Sequence, residues 1–146
     1  MQEKIITNSA EETQKLGEKL AKEIKSGKTA VVLGLQGDLG GGKTTFLQGF
    51  AKGLNIKEKI LSPTFVILKH FKIKSSEFED FYHVDCYRIN QPEDILELGF
   101  KEIISNPKNI LAIEWPERIL KILPKTAVTI KFLFIDENKR EITINF

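Results

Sequence analysis

Cysteine is nearly absent from this sequence of 146 residues, in which Cys86 is the only one. A single cysteine excludes an internal disulfide framework and a cysteine-based zinc site. We therefore expect no disulfide partner and a reducing, cytoplasmic setting. The sequence also lacks a run of about 18 apolar residues, the length that would span a membrane. Its first residues lack the apolar segment of a secretory signal.

Neither sign of charge dominates, because the sequence has 22 lysines and arginines and 20 acidic residues, which give a formal net charge of +2. This balance provides no basic footprint for gripping a nucleic acid. Ten glycines and five prolines are spread along the chain, which excludes low complexity. With 41% hydrophobic residues, a chain of this length can bury a core without disulfides. We expect one domain over residues 1–146.

Hydrophobic patterning predicts strands alternating with helices first and paired strands later. Ser9 and Glu12 have the spacing of a capping box at a helix start, and Gly27 is the expected stop. Another helix is expected from Lys43 to about Leu54, and Gly99 is expected to separate two short helices. Strands are expected at residues 4–6, 29–35, 66–71, 81–85, 110–114, 128–135 and 140–146. These elements predict an α/β fold with a central mixed parallel and antiparallel sheet flanked by helices.

A glycine-rich loop follows the apolar run at residues 29–35 and precedes the predicted helix. Its residues match the pattern G-x-x-x-x-G-K-[ST], and they are Gly37, Asp38, Leu39, Gly40, Gly41, Gly42, Lys43, Thr44 and Thr45. Glycines let backbone amides wrap a phosphate, and the helix N-terminus adds free N–H groups. Lys43 would bridge the β- and γ-phosphates, and the Thr44 hydroxyl would ligate Mg²⁺. A glycine turn that only caps a helix would explain neither side chain.

Two apolar runs end in acids, at Asp85 and Glu114. Acids at the carboxyl ends of strands lie beside such a loop, where phosphoryl transfer needs a metal ligand and a group to orient water. Spacing alone leaves open which acid ligates the metal. Thr64 is either a nucleotide-sensing residue or part of a proline-stiffened turn. Trp115 is either core or an anchor against a ligand or a partner, and His83 is interpreted as a core histidine.

Five motifs occur in order: GDLGGGKTT at 37–45, SPTF at 62–65, HVDCYR at 83–88, ELGF at 97–100 and IEWPE at 113–117. Together they resemble the TsaE (also YjeE) family of small bacterial P-loop ATPases over nearly the whole chain. Gly41 stands where the family more often has alanine, and either residue leaves the backbone amides available.

This resemblance implies a P-loop NTPase fold that binds ATP and Mg²⁺. The loop from Gly37 to Thr45 would bind the phosphates, Thr44 and Glu114 would ligate the metal, and Lys43, Glu114 and Asp85 would be catalytic. Thr64 would lie in a switch-like loop and Trp115 beside the site. The family acts with TsaD and TsaB on the N6-threonylcarbamoyladenosine next to the anticodon of tRNA. The resemblance thus implies a subunit that hydrolyses ATP to reset a TsaD–TsaB pair and reaches tRNA indirectly.

Three other functions fit the same loop. A small-molecule kinase usually closes an arginine-rich lid over the phosphates, whereas this chain has three arginines. A GTPase-type switch needs N-K-x-D, and the nearest string, at residues 138–141, ends in glutamate. A scaffold that binds phosphate without turnover is also compatible with the sequence. Residues 7–13 and the turn at 138–140 are candidates for contacting the base.

Overall fold

Seven strands, four α-helices and one 3₁₀ helix make up the described part of the chain. The structure is a computed structural model and describes residues 1–38, 42–60, 68–74 and 77–146. In chain order the elements are β1 (Gln2–Thr7), α1 (Ala10–Glu23), β2 (Val31–Gln36), α2 (Lys43–Gly53), β3 (Leu68–Lys72), β4 (Asp80–Asp85), α3 (Glu93–Leu96), α4 (Phe100–Ser105), β5 (Asn109–Glu114), the 3₁₀ helix Pro116–Ile122, β6 (Val128–Phe134) and β7 (Arg140–Asn145).

One seven-stranded sheet contains all of these strands, in the order β1-β7-β6-β2-β5-β4-β3. The four central strands β6, β2, β5 and β4 run parallel. Antiparallel pairs complete both sides, since β3 pairs with β4, and β7 pairs with β6 and β1. The predicted α/β fold with a mixed sheet is confirmed. Leu35 and Asp85 are both in register with Glu114, so β2, β5 and β4 end together at one edge.

The central strands are buried on both faces, which explains their apolar runs without polar alternation. Every residue of β5 is buried, and β2 is buried over its middle four positions. Alternate residues therefore enter different cores: Leu33 and Ala112 pack with α1 and α2, whereas Val32 and Leu111 pack on the other face. The second core also contains Phe100 of α4. Helical layers on both faces thus hold the sheet edge where the strand-end acids lie.

Glycines allow α1 and α2 to cross at close range on the first face of the sheet. A Cβ atom at Gly49 would lie 1.9 Å from the carbonyl oxygen of Gln14, and one at Gly17 would lie 2.2 Å from that of Phe46. Only hydrogen fits at these positions, because interiors pack without spare volume. The close crossing places the N-terminus of α2 beside the start of α1.

Helix α1 begins as predicted and ends earlier than predicted. Ser9 Oγ accepts a hydrogen bond from the Glu12 backbone N–H at 3.1 Å. The Glu12 carboxylate accepts from the backbone N–H of Asn8 at 3.0 Å, one residue before the donor that a capping box would use. The prediction of Gly27 as the helix stop was wrong: the helix ends at Glu23 and Ile24 is extended. Ile24 still packs against the core from this extended conformation.

The remaining predicted elements are confirmed within the described residues. Helix α2 starts at Lys43, and Gly99, with a φ of +79°, separates α3 from α4. Both predicted antiparallel pairs form, as β3 with β4 and β6 with β7. Parts of the first pair's expected strand and turn, at residues 66–67 and 75–76, lie outside the described residues. No helix in the described ranges is long and apolar enough to cross a bilayer.

Candidate nucleotide site

The glycine-rich loop connects the carboxyl end of β2 to α2, as its sequence pattern requires. Gly37 has a φ of +144°, and a Cβ atom there would lie 2.6 Å from the carbonyl oxygen of Phe132. Gly42 has a φ of +103° and is the N-cap of α2. Both positions therefore favour glycine for their backbone conformation, and Gly37 also because a side chain has no space there. Three predicted loop residues lie outside the described residues: Leu39, Gly40 and Gly41.

Lys43, the first residue of α2, turns its side chain back toward the loop. It is 5% exposed, and its Nζ donates a hydrogen bond to the carbonyl oxygen of Gly37 at 2.7 Å. Nζ also lies 3.8 Å from Glu114 Oε1. A buried ammonium needs such partners, since its desolvation is otherwise costly. The N-terminus of a helix attracts anions, and the Lys43 ammonium group adds a positive charge at the same place.

Glu114 ends β5, the strand next to β2, and its side chain faces two partners. The residue is 4% exposed. One carboxylate oxygen faces Lys43, and the other, Oε2, lies 2.7 Å from Nε2 of the fully buried His83. The carboxylate thus lies between an ammonium group and an imidazole ring. Of the two acids left open by the sequence, Glu114 is the one in contact with the loop lysine.

Asp85 ends β4 and lies beside Glu114 at the same edge of the sheet. Its Oδ1 accepts a hydrogen bond from the backbone N–H of Tyr87 at 2.9 Å. Burial raises the pKa of the Asp85 carboxyl above its usual value, the Tyr87 hydrogen bond opposes this shift, and the charge of Glu114 adds to it. The two predicted acids are thus brought together, with Asp85 one strand farther from the loop.

Trp115 follows Glu114 directly and adopts a left-handed backbone conformation, with a φ of 59°. Lys43 Nζ lies 5.0 Å from the centroid of its ring, within cation–π range. The Tyr87 ring packs on it at a centroid distance of 5.2 Å. The ring is partly buried against the second core. Trp115 therefore packs on the second core and lies beside Lys43, and its role as an anchor for a ligand or partner stays a prediction.

A small cleft opens on the other side of the loop–helix junction. Its lining residues come from α1, the α2 start and the β6–β7 turn, and they are Ala10, Thr13, Gly42, Thr45, Glu137, Asn138 and Arg140. The two segments named from sequence as candidates for contacting the base, around Thr13 and Asn138, therefore meet here. Thr44 and Thr45 are half-buried in the first turn of α2. Thr64 lies outside the described residues.

A model of the family described as "Threonylcarbamoyl adenosine biosynthesis protein TsaE" matches residues 7–142. The chain belongs to the TsaE family. It is 41% identical over 137 residues to the tRNA threonylcarbamoyladenosine biosynthesis protein TsaE of Rickettsia felis, covering 93% of this chain and 75% of that protein. The protein of the same name from Treponema pallidum is 35% identical, with 95% of this chain and 97% of the relative covered.

A solved structure supports the same assignment. The crystal structure of Bacillus subtilis YdiB superposes with a TM-score of 0.75 at 33% sequence identity, covering 99% of this chain and 84% of that chain. The TsaE protein of Bacillus subtilis is 36% identical over 137 residues, which cover 94% of this chain and 81% of the relative. The family resemblance and the α/β architecture, a mixed sheet flanked by helices, are confirmed.

Two contacts of this TsaE-family chain were missed from sequence. His83 was interpreted only as a core histidine, yet its ring contacts the site acid. It precedes Asp85 by two positions and so shares that residue's face of the strand, a signal available in the sequence. Arg140 was named within the turn at 138–140 as a candidate for contacting the base, but its approach to the start of α2 was not predicted. Its side chain lies 3.5 to 3.8 Å from where a Cβ of Gly42 would be.

Cys86 lies close to the site in sequence but is fully buried. Burial raises the pKa of its thiol to about 12, and the charges of Asp85 and Glu117 add to this shift. The thiolate, which is the reactive form, is therefore strongly disfavoured. The side chain packs in the second core as a small apolar residue.

Proposed function

We propose that this chain is a Mg²⁺-dependent ATPase of tRNA threonylcarbamoyladenosine biosynthesis, which acts on a TsaD–TsaB pair and resets it through ATP hydrolysis. One observation carries the proposal: Lys43 begins α2 directly after the loop that follows β2, and Glu114 of the neighbouring strand β5 lies 3.8 Å from its ammonium nitrogen. Membership of the TsaE family supports the biological process. The relatives' shared name supports it as well.

Phosphate binding would use the loop amides, the N-terminus of α2 and Lys43. In the structure Lys43 Nζ donates to the Gly37 carbonyl oxygen. A β- or γ-phosphate oxygen is a charged acceptor and would replace this neutral one, since charge-assisted hydrogen bonds are the stronger. The lysine would keep its position beside Glu114 and need only turn its ammonium group toward the phosphates.

The oxygen donors of the site fit Mg²⁺. No cluster of three or more His, Cys, Asp and Glu residues able to hold a metal occurs in the described ranges, so a metal here would also need phosphate and water ligands. Mg²⁺ is bound in this way, with one or two protein oxygens, in nucleotide sites. The Thr44 hydroxyl and Glu114 would hold it. When bound, it would neutralise charge on the β- and γ-phosphates.

Hydrolysis requires a water molecule in line with the bond between the γ-phosphorus and the leaving oxygen of ADP. Asp85 would orient this water, because it ends the strand beside Glu114 and its Oδ1 is already fixed by Tyr87. Burial raises the pKa of Asp85, so its ionised carboxylate is a stronger base than that of an ordinary aspartate. The products are ADP, inorganic phosphate and one proton released to solvent.

The base would rest at the cleft between α1 and the β6–β7 turn. At about 50 Å³ the cleft is too small to enclose a purine, so the ring would lie across its mouth. Thr13, Asn138 and Arg140 supply polar groups there. Glu141 is the last residue of the string that resembles a guanine-binding motif. It lies in β7, where it pairs with Leu133 of β6, and it is not among the residues that line the cleft. This favours adenine over guanine.

The decisive experiment measures nucleotide binding and turnover with and without a TsaD–TsaB pair. The wild-type chain should bind ATP more tightly than GTP, and hydrolysis should rise when the pair is added. Lys43→Ala and Glu114→Ala should each lower the stimulated rate by about a hundredfold or more. Gly27→Ala is the matched control, because a Cβ atom at Gly27 meets nothing within 4 Å. Tighter binding of GTP, or full stimulated activity in both site variants, would refute the proposal.

A further inference from the structure

His83 is fully buried in the middle of β4, a position where an apolar side chain would be expected. Its ring shares a sheet face with Asp85, and in the register it lies opposite Ala112. Ala112 and Glu114 point to the same face of β5 because they are two residues apart. The small side chain of Ala112 leaves room for the imidazole to lie across β5 and reach the acid. His83 Nε2 and Glu114 Oε2 are 2.7 Å apart as a result.

The direction of this hydrogen bond follows from the chemistry of its two atoms. An ionised carboxylate can only accept, so a hydrogen bond to the Glu114 carboxylate in that form requires Nε2 to carry the hydrogen and donate it. Glu114 Oε2 is therefore engaged inside the fold. Oε1, at 3.8 Å from Lys43 Nζ, is the oxygen turned toward the loop. The hydrogen bond thus selects one orientation of the carboxylate and one oxygen for the site.

We propose that His83 is a positioning residue that fixes the Glu114 carboxylate so that Oε1 alone faces the metal and the nucleotide phosphates. The inference rests on the proposed function, since it assigns Glu114 to the metal. Outer partners that orient a metal ligand typically contribute 10- to 100-fold to metal affinity. His83 would act in this way through Glu114 without contacting the nucleotide itself.

The chain provides a matched control in its other histidine. His70 Nε2 lies 2.6 Å from Asp80 Oδ1, so the same pair of chemical groups occurs between β3 and the opposite end of β4. His70 is exposed, and Asp80 belongs to the start of the strand whose other end carries Asp85. Removing the His70 donor should change nothing at the site.

Metal affinity is the readout that separates positioning from simple packing. Mn²⁺ is titrated into the full-length chain saturated with a non-hydrolysable ATP analogue, and free Mn²⁺ is followed by electron paramagnetic resonance. His83→Asn places its amide nitrogen at the ring Nδ1 position, short of Glu114, and should weaken Mn²⁺ affinity about tenfold or more. His83→Gln reaches the Nε2 position and should stay within about threefold of wild type. Metal-free analogue affinity should be the same in both variants, and His70→Asn should match wild type.

The outcomes distinguish this role from the proposed function. Equal Mn²⁺ affinity in His83→Asn and wild type, or equal losses in the Asn and Gln variants, would overturn the role of His83 alone. No Mn²⁺ binding by the wild type would overturn the proposed function and this role with it.

A second test uses the wild-type protein alone and so does not depend on whether a variant folds. The ¹⁵N spectrum of the two histidines should show hydrogen on Nε2 of His83, and hydrogen on Nδ1 alone would overturn the proposal.

Discussion

The ammonium nitrogen of Lys43 lies 5.0 Å from the centroid of the Trp115 ring. The two residues belong to different layers: Lys43 opens α2 and Trp115 follows β5. The same ammonium donates to the Gly37 carbonyl oxygen. Any ligand that draws Lys43 toward the loop therefore changes the surroundings of the indole ring.

Trp115 fluorescence should report nucleotide binding. Trp115 is the only tryptophan, so its emission has no background from another indole. We expect saturating ATP to change the emission intensity, and we expect Lys43→Ala to abolish this response along with binding. The Trp115→Phe variant is the control, because its fluorescence comes only from the remaining aromatic residues. An unchanged spectrum, at ATP concentrations where calorimetry detects full binding, would contradict the coupling between this lysine and the ring.

Gly49→Ala should destabilise the fold, although alanine usually favours a helix by up to about 1 kcal/mol relative to glycine. The new methyl group would lie 1.9 Å from the Gln14 carbonyl oxygen, so α1 and α2 must separate. We expect a loss of about 1–3 kcal/mol in the free energy of unfolding, measured with urea. Gly27→Ala is the control and should stay within about 0.5 kcal/mol of wild type. Gly49→Ala with wild-type stability would disprove the close crossing.

Asp85→Asn should stabilise the fold at neutral pH while it lowers ATP turnover. Burial is the main cause of the raised pKa of Asp85, so the ionised carboxyl costs folding free energy that the neutral amide avoids. Asparagine keeps the oxygen that accepts from the Tyr87 N–H.

The pH dependence gives the sign of this effect. Below the unfolded-state value of 3.8 the carboxyl is protonated in both states and the difference vanishes. The advantage of the variant should grow as pH rises from there through the raised folded-state pKa. Thermal melts of both proteins across this range provide the measurement, and an advantage largest in acid would contradict it.

Cys86 should resist thiol reagents in the native protein. Its side chain is fully buried and burial raises its pKa to about 12. At pH 8 we expect modification to be about a hundredfold or more slower than in urea, because only the thiolate attacks. A colorimetric disulfide reagent measures both rates. Rapid labelling without denaturant would show that the second core opens readily around this residue.

The elements that carry the site were predictable because their signals are local. Three of these elements are adjacent in sequence: the apolar run that forms β2, the glycine-rich loop, and the start of α2 at Lys43. Their pattern has a direct physical cause. The neighbours of the parallel strands were not predictable in this way. Glu114 contacts Lys43 because β5 pairs beside β2, and this pairing joins residues far apart in the chain.

The wrong and missing predictions have the same origin. Gly27 was expected to end α1 because glycine commonly ends helices. The helix instead ends at Glu23, and Ile24 packs against the core in an extended conformation. The contact of His83 with Glu114 depends on the register between β4 and β5. The left-handed conformation of Trp115 follows from the turn that leaves β5. Tertiary context decided each of these features.

The central position of β2 has a consequence for how the chain folds. Both partners of this strand are made much later, since Val31 pairs with Ile110 and Leu33 with Val128. The helices α1 and α2, by contrast, are close in sequence and pack on each other directly. Because distant pairings require closing long loops, they form slowly. The phosphate loop therefore acquires both strands that flank β2 only after ribosomal synthesis has passed β6, and until β5 has been made β2 is an apolar segment without a strand partner.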